Sequence, residues 1–180
     1  NSNGLPISLE VIGDNYEDMV SQGRILSSLG DNVYVKIPIT YTSGNSTLDV
    51  ISTLSKEGVN LNITAIFTMK QIEKILPSIQ TTNSIISVFA GRIYDVGIDA
   101  KIIMREMASY IHENSKCSLL WASPRMHFDA ISAQDTGCDI ITMTSSMYKK
   151  MSLIGKSPEQ FSLETVKMFY DDAIASGYKL

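Results

Sequence analysis

A parallel α/β barrel, incomplete in this chain, is the fold class the sequence predicts, on three observations. Strand-like and helix-like periodicities alternate from end to end. Each strand presents one apolar face and one face carrying polar groups. Those polar groups gather toward the strands' C-terminal ends, where a (β/α)8 barrel holds its site. A doubly wound sheet has helices on both faces and would not repeat this pattern strand after strand.

The elements follow in order. Candidate strands are Ile7–Ile12, Val33–Ile37, Val59–Ala65, Ile85–Phe89, Ser118–Ala122 and Asp139–Met143. Amphipathic stretches with helical spacing cover Tyr16–Ser28, Ser46–Lys56, Met69–Ile79, Asp99–Glu113, His127–Asp135 and Ser146–Leu153. A final helix, Pro158–Ala175, precedes Gly177 and carries Phe161, Val166, Met168, Phe169 and Tyr170. It is expected to close a site or to pack on a neighbouring subunit. Thr68 and Ser46 suit N-caps, and Gly58 and Gly137 suit helix C-termini before the next strand. Repeated βα units predict right-handed parallel crossovers. In one strand Val33, Val35 and Ile37 share a face opposite Tyr34 and Lys36; in the next, Leu61, Ile63 and Ala65 oppose Asn60, Asn62 and Thr64. Ile86 and Val88 oppose Ser87 and Phe89, and Ile7, Leu9 and Val11 oppose Ser8 and Glu10. Trp121 is expected on the inward face with Ser123, as core filling. Six units fall two short of a closed barrel, and 180 residues fall short of its usual length; the two absent units are expected at the N-terminal side. The chain reads as a single domain, residues 1–180, with no linker or low-complexity tract.

Composition narrows the function. Hydrophobic residues make up 44% and charged residues 19%, as in a globular protein with a sizeable core. The net charge of −4, with no basic block, argues against nucleic-acid and anionic-membrane partners. No apolar run approaches the roughly 20 residues of a membrane span, and no signal-peptide pattern opens the chain. Cys117 and Cys138 each begin a strand and are expected to be buried thiols in a reducing, cytoplasmic setting. The two histidines, His112 and His127, have no ligand spacing, so no metal is expected. The sequons Asn45-Ser-Thr and Asn62-Ile-Thr read as chance, since Asn62 lies in a strand.

Lys36 is the most informative residue. Strands of parallel sheets are usually apolar on both faces, and a lysine there must be paired, solvated or deprotonated. Either it snorkels to solvent at a strand end, or it is partly sheltered. A sheltered amine can attack a carbonyl and form a Schiff base. Five inward positions belong together at one end of consecutive strands: Glu10, Lys36, Asn62 with Thr64, Ser87, and Ser123 with Arg125. Singly, each has a plain alternative, such as a strand-end carboxylate for Glu10, helix capping for Asn62 and Thr64, a surface arginine in a loop for Arg92, and turn chemistry for Ser123. Asp95 and Asp99 read as loop solubility and a helix N-terminal charge.

The segments Ser8-Leu-Glu-Val, Val35-Lys-Ile-Pro, Leu61-Asn-Ile-Thr, Ser87-Val-Phe-Ala-Gly-Arg-Ile93, Ala122-Ser-Pro-Arg125 and Gly137-Cys-Asp-Ile-Ile-Thr142, in this order and at βα spacing, resemble the transaldolase and fructose-6-phosphate aldolase family. The resemblance implies a class I aldol mechanism on sugar phosphates, without metal or organic cofactor. It implies that Lys36 is the Schiff-base lysine and that Glu10 and Thr64 position a catalytic water. It further implies that Asn62 and Ser87 bind substrate hydroxyls, that Phe89 walls the site, and that Arg92, Ser123 and Arg125 clamp the phosphate. Homo-oligomers are expected. The family's first-strand aspartate and its Thr-Asn-Pro turn do not occur here, and Asp14 and Asp18 lie beside or in a helix, where they cannot substitute. Pro124 stands where transaldolases commonly carry an aromatic residue. The Val35-Lys-Ile-Pro wording is closer to the short aldolase-like branch. The six-unit chain is therefore expected to be impaired, with a noncatalytic sugar-phosphate-binding module as the alternative, and another imine-forming barrel aldolase as a third reading.

Overall fold

A computed structural model of the chain describes residues 3–177. Six strands, β1 (Ile7–Glu10), β2 (Val33–Pro38), β3 (Leu61–Ile66), β4 (Ile85–Val88), β5 (Ser118–Trp121) and β6 (Ile140–Ile141), form one sheet in sequential order. Every neighbouring pair is parallel. The connecting helices are α1 (Tyr16–Ser27), α2 (Leu48–Lys56), α3 (Met69–Ile79), α4 (Ala90–Asp95), α5 (Ala100–Asn114) and α6 (Asp129–Asp135). The sheet is open, with β1 at one edge and β6 at the other. The chain separates into two compact units at the step from Met143 to Thr144. The second holds α7 (Ser145–Lys150), a 3-10 turn over Met151–Leu153 and α8 (Pro158–Ser176). Among the described residues no helix is long and apolar enough to cross a membrane.

The outer face of the sheet carries the core. Val35, Ile37, Leu61, Ile63, Ile66, Ile86 and Leu119 are fully buried, with Ile51, Leu54, Ile72, Ile75 and Met104 of the helices in the same cluster. Burying each such side chain contributes about 1.5–3 kcal/mol. A second, smaller cluster of Ile85, Leu120 and Ala122, with Tyr34 and Phe89 against it, fills the inner face. Two side-chain bonds show how strongly the sheet curls. Asn62 Nδ2 on β3 donates to Ser8 Oγ on β1 at 2.9 Å, passing over β2, and Ser87 Oγ on β4 donates to Asn62 Oδ1 at 2.6 Å. Alternate strands of a flat sheet lie roughly 9–10 Å apart, with side chains standing perpendicular to it. The first bond closes only because the sheet bends inward, as in a barrel whose interior layers come from alternate strands.

Local chemistry explains the helix ends. Asn15 caps α1 by accepting from Asp18 N, Asp99 caps α5, and Thr68 and Gln71 form a reciprocal capping box on α3. Ser157 caps α8, and Gly177 ends it in the left-handed conformation. Thr47, not Ser46, holds the N-cap position of α2, and its hydroxyl donates to the Pro38 carbonyl at 2.5 Å, while the Ser46 hydroxyl accepts from the Leu48 N–H at 3.3 Å. Cys117 is buried and Cys138 half-buried, both free. Burial pushes the Cys138 thiol up to about 11, so it stays neutral.

Three sequence expectations about local structure are corrected. Ile66, not Ala65, shares the buried face with Leu61 and Ile63, because the β3–β4 register shifts between Ile63 and Ile66 and Ala65 adopts φ +59°. This bulge turns the strand by one residue. Trp121 lies in the outer cluster, 6.0 Å from the Tyr94 ring between centroids, and does not share Ser123's inward position. Arg92 sits on helix α4, not in a loop.

The bulge yields a stability prediction. Ala65 already bears a left-handed backbone, which a β-branched residue tolerates poorly. Ala65→Val is expected to lower stability by about 1–3 kcal/mol and Ala65→Gly to leave it unchanged or raise it by up to about 1 kcal/mol, read as urea midpoints.

Candidate active site

An open cavity of about 430 Å3 lies on the inner face of the sheet at the C-terminal ends of the strands. Lys36, Asn62, Thr64, Ser87, Phe89, Arg92 and Ser123 all line it. The curl of the sheet and the alternation of β2 place Lys36 there: Val35 and Ile37 point into the outer core, so Lys36 between them must point inward. Its side chain is 29% exposed, and its Nζ lies 3.2 Å from Glu10 Oε2. Glu10 is the direct register partner of Lys36 on β1, as Asn62 is on β3. The amine is thus paired rather than stranded.

The floor of the cavity is a polar chain. Ser8, Asn62 and Ser87 are linked through the Asn62 amide, which uses both its oxygen and its nitrogen. A buried amide with both groups satisfied has one orientation only, and breaking either bond leaves a partner unpaired at a cost of about 1–3 kcal/mol. Thr64 is different. It is 2% exposed, it lines the cavity, and its Oγ1 has no hydrogen-bond partner. Buried hydroxyls are nearly always bonded, so this one is set to bond a group inside the cavity. The bulge beside it fixes where it points.

The far wall comes from α4 and the segment after β5. Phe89 precedes α4, and the Arg92 guanidinium lies over its ring, 5.0 Å from the centroid. Ser123 has φ +60°, unusual for a residue with a Cβ. It is packed closely against Gly91. A Cβ on Gly91 would stand 1.5 Å from the Ser123 carbonyl oxygen and 2.7 Å from its carbon. Only glycine allows α4 this approach.

Arg125 takes a different place. It lines a neighbouring cavity, with Tyr94, Lys101 and Phe128. Its guanidinium grips Asp95 two-pronged, with Nε 2.9 Å from Oδ1 and Nη2 against Oδ2. That bond raises the arginine's affinity for its proton still further. Asp95 is therefore an ion-pair partner and not a merely solubilising loop residue. Asp129, 3% exposed, accepts from the backbone N–H of Arg125 at 2.5 Å and of Met126 at 3.1 Å. These bonds hold residues 126–128 outside helix α6, which the periodicity had begun at His127. Burial pushes the Tyr94 phenol upward, so it stays neutral.

Two polar lining residues escape sequence reasoning as site members, Ser8 and Thr142. Ser8 alternates with Glu10 on β1, a signal that was available. Thr142 lies just past the short β6, where two strand residues are too few for a face to be read.

The family model described as Transaldolase/Fructose-6-phosphate aldolase matches residues 2–178. Among curated relatives, "Probable transaldolase 2" of Listeria monocytogenes is 33% identical over 147 residues, which is 81% of this chain and 64% of that protein. "Probable transaldolase" of Thermoplasma acidophilum is 33% identical over 156 residues, 86% of this chain and 66% of that protein. "Probable transaldolase" of Nitrosopumilus maritimus is 30% identical over 147 residues, 81% and 63%. The chain spans a little under two thirds of the length of these relatives.

Gly91 supplies the test of the wall. In an ordinary helix, glycine to alanine gains up to about 1 kcal/mol. Here the added methyl meets backbone, so Gly91→Ala is expected to reverse the sign and cost about 1–3 kcal/mol, measured by denaturant unfolding. A stabilised variant would show that α4 and Ser123 are not locked together.

Proposed function

The chain belongs to the transaldolase/fructose-6-phosphate aldolase family, and from that premise we propose that its cavity cleaves or transfers the dihydroxyacetone unit of a ketose phosphate such as fructose 6-phosphate, through a Schiff base on Lys36. The observation that carries this reading is the convergence, in one cavity, of the Lys36 amine with its Glu10 partner and the unpartnered buried hydroxyl of Thr64.

In the proposed reaction Glu10 takes a proton from the Lys36 ammonium, with which it is already in contact. The neutral amine adds to the ketose carbonyl, and loss of water gives a protonated imine. The imine accepts the electron pair of the breaking carbon–carbon bond. The hydroxyl proton next to that bond passes to a base, an aldehyde leaves, and the three-carbon unit remains as an enamine on Lys36. A second aldose phosphate takes it up, or protonation and hydrolysis release it. Among the described residues no carboxylate lines the cavity; proton traffic falls to Glu10, which reaches Lys36 from outside that lining, and to a water bonded by Thr64. The Asn62 and Ser87 groups hold the substrate hydroxyls, Phe89 walls the imine, and Arg92 and Ser123 receive the phosphate.

Borohydride reduction in the presence of fructose 6-phosphate tests the reading. A stable covalent adduct on the peptide containing Lys36 is expected. Glu10→Gln and Thr64→Val are expected to slow its formation by about 10²-fold or more. An adduct of equal yield in Lys36→Ala defeats the assignment.

A further inference from the structure

Two cavities share one wall. The first is the 430 Å3 cavity of Lys36; the second, about 310 Å3, lies behind the segment Ser123–Arg125. Ser123 faces the first cavity and Arg125, two residues on, lines the second. Helix α4 touches both. Arg92 lines the first cavity and Tyr94 the second, and Asp95, next to Tyr94, grips Arg125.

The two arginines are therefore in opposite electrostatic states. Arg92 lies over the Phe89 ring, and none of the ion pairs among the described residues engages it. Arg125 is neutralised by a carboxylate that fills its Nε and Nη2 donors, the same fork that a phosphate would take. We propose that Asp95 is a specificity-determining latch: it occupies the Arg125 fork in place of a ligand's anionic group, and so keeps the second cation from the Lys36 cavity until a phosphate monoester competes for it. This rests on reading that cavity as a sugar-phosphate site.

The exchange is inexpensive. The Arg125 and Asp95 side chains are 40% and 50% exposed, and ion pairs at such exposure hold little. A phosphate monoester brings about 1.5–2 negative charges against the single charge of Asp95. An uncharged ketone such as dihydroxyacetone offers Arg125 nothing. Asp95 therefore lowers affinity for phosphorylated ligands alone, and the arginine backbone, pinned by Asp129, keeps the released guanidinium near the shared wall.

Calorimetric titration of the full chain with fructose 6-phosphate and with dihydroxyacetone separates the outcomes. Asp95→Asn is expected to tighten fructose 6-phosphate binding by about three- to tenfold and to leave dihydroxyacetone unchanged. The gain is expected to vanish in Asp95→Asn combined with Arg125→Gln, and Asp95→Glu, which keeps the carboxylate, is expected to return near the wild-type value. Unchanged or weaker fructose 6-phosphate binding in a folded Asp95→Asn, with wild-type binding intact and sensitive to Arg92→Gln, overturns the latch alone. Wild-type binding that is absent, or indifferent to Arg92→Gln, overturns the sugar-phosphate reading and the latch with it.

Discussion

The side-chain amide of Asn62 joins three strands at once, reaching Ser8 on β1 and Ser87 on β4 from its own place on β3. Its bonds require the sheet to be bent, because groups on alternate strands of a flat sheet cannot meet. They also fill the volume beneath Lys36 with polar atoms in place of the usual apolar interior layers. The apolar filling is displaced to Ile85, Leu120 and Ala122. The cost of keeping this amide inside is offset because Asn62 is bonded through both its nitrogen and its oxygen. Lys36 follows from the same constraint: on a bent sheet its inward direction leads to Glu10, its register neighbour, and not to the apolar cluster behind β2.

Much of this architecture was legible because outer-face burial imposes a period of two that residues such as Val33, Val35 and Ile37 obey strictly. The inward set of Lys36, Asn62, Thr64 and Ser87 was readable for the complementary reason, since polar residues at even spacing in buried strands have only the interior to face. The misses have physical causes. The bulge at Ala65 has no local signature, because alanine carries no sign of a left-handed backbone. Trp121 was placed on the wrong face because Leu119, Leu120, Trp121 and Ala122 are apolar throughout, and alternation needs contrast. Helix α4 has six residues and begins Ala-Gly, too short for a helical period to emerge. The pairing of Asp95 with Arg125 spans 30 residues and depends on where α4 meets the segment after β5, which no local pattern encodes.

That meeting point is tightly constrained. The Ser123 backbone is strained, and strain of this kind persists only when the surroundings over-determine it. Two contacts do so. Gly91 admits the Ser123 carbonyl at a distance no side chain would permit, and Asp129 takes the next two free N–H groups, those of Arg125 and Met126. One rigid corner thereby sets two side chains facing opposite ways, Ser123 into the Lys36 cavity and Arg125 away from it.

The charges on this corner complete the logic. In the proposed reaction a nucleophilic Lys36 is poorly served by a strongly positive surrounding while it waits, and an anionic substrate needs cations at the moment of binding. Pairing of the charges suits both demands of that proposal. Glu10 balances Lys36, Asp95 balances Arg125, and Arg92, resting on the Phe89 ring, lines the cavity in none of the ion pairs among the described residues. Each pair is partly exposed, and ion pairs at such exposure hold little. The curled sheet supplies rigidity through its buried amide chain and outer core, and leaves the ion pairs at its rim.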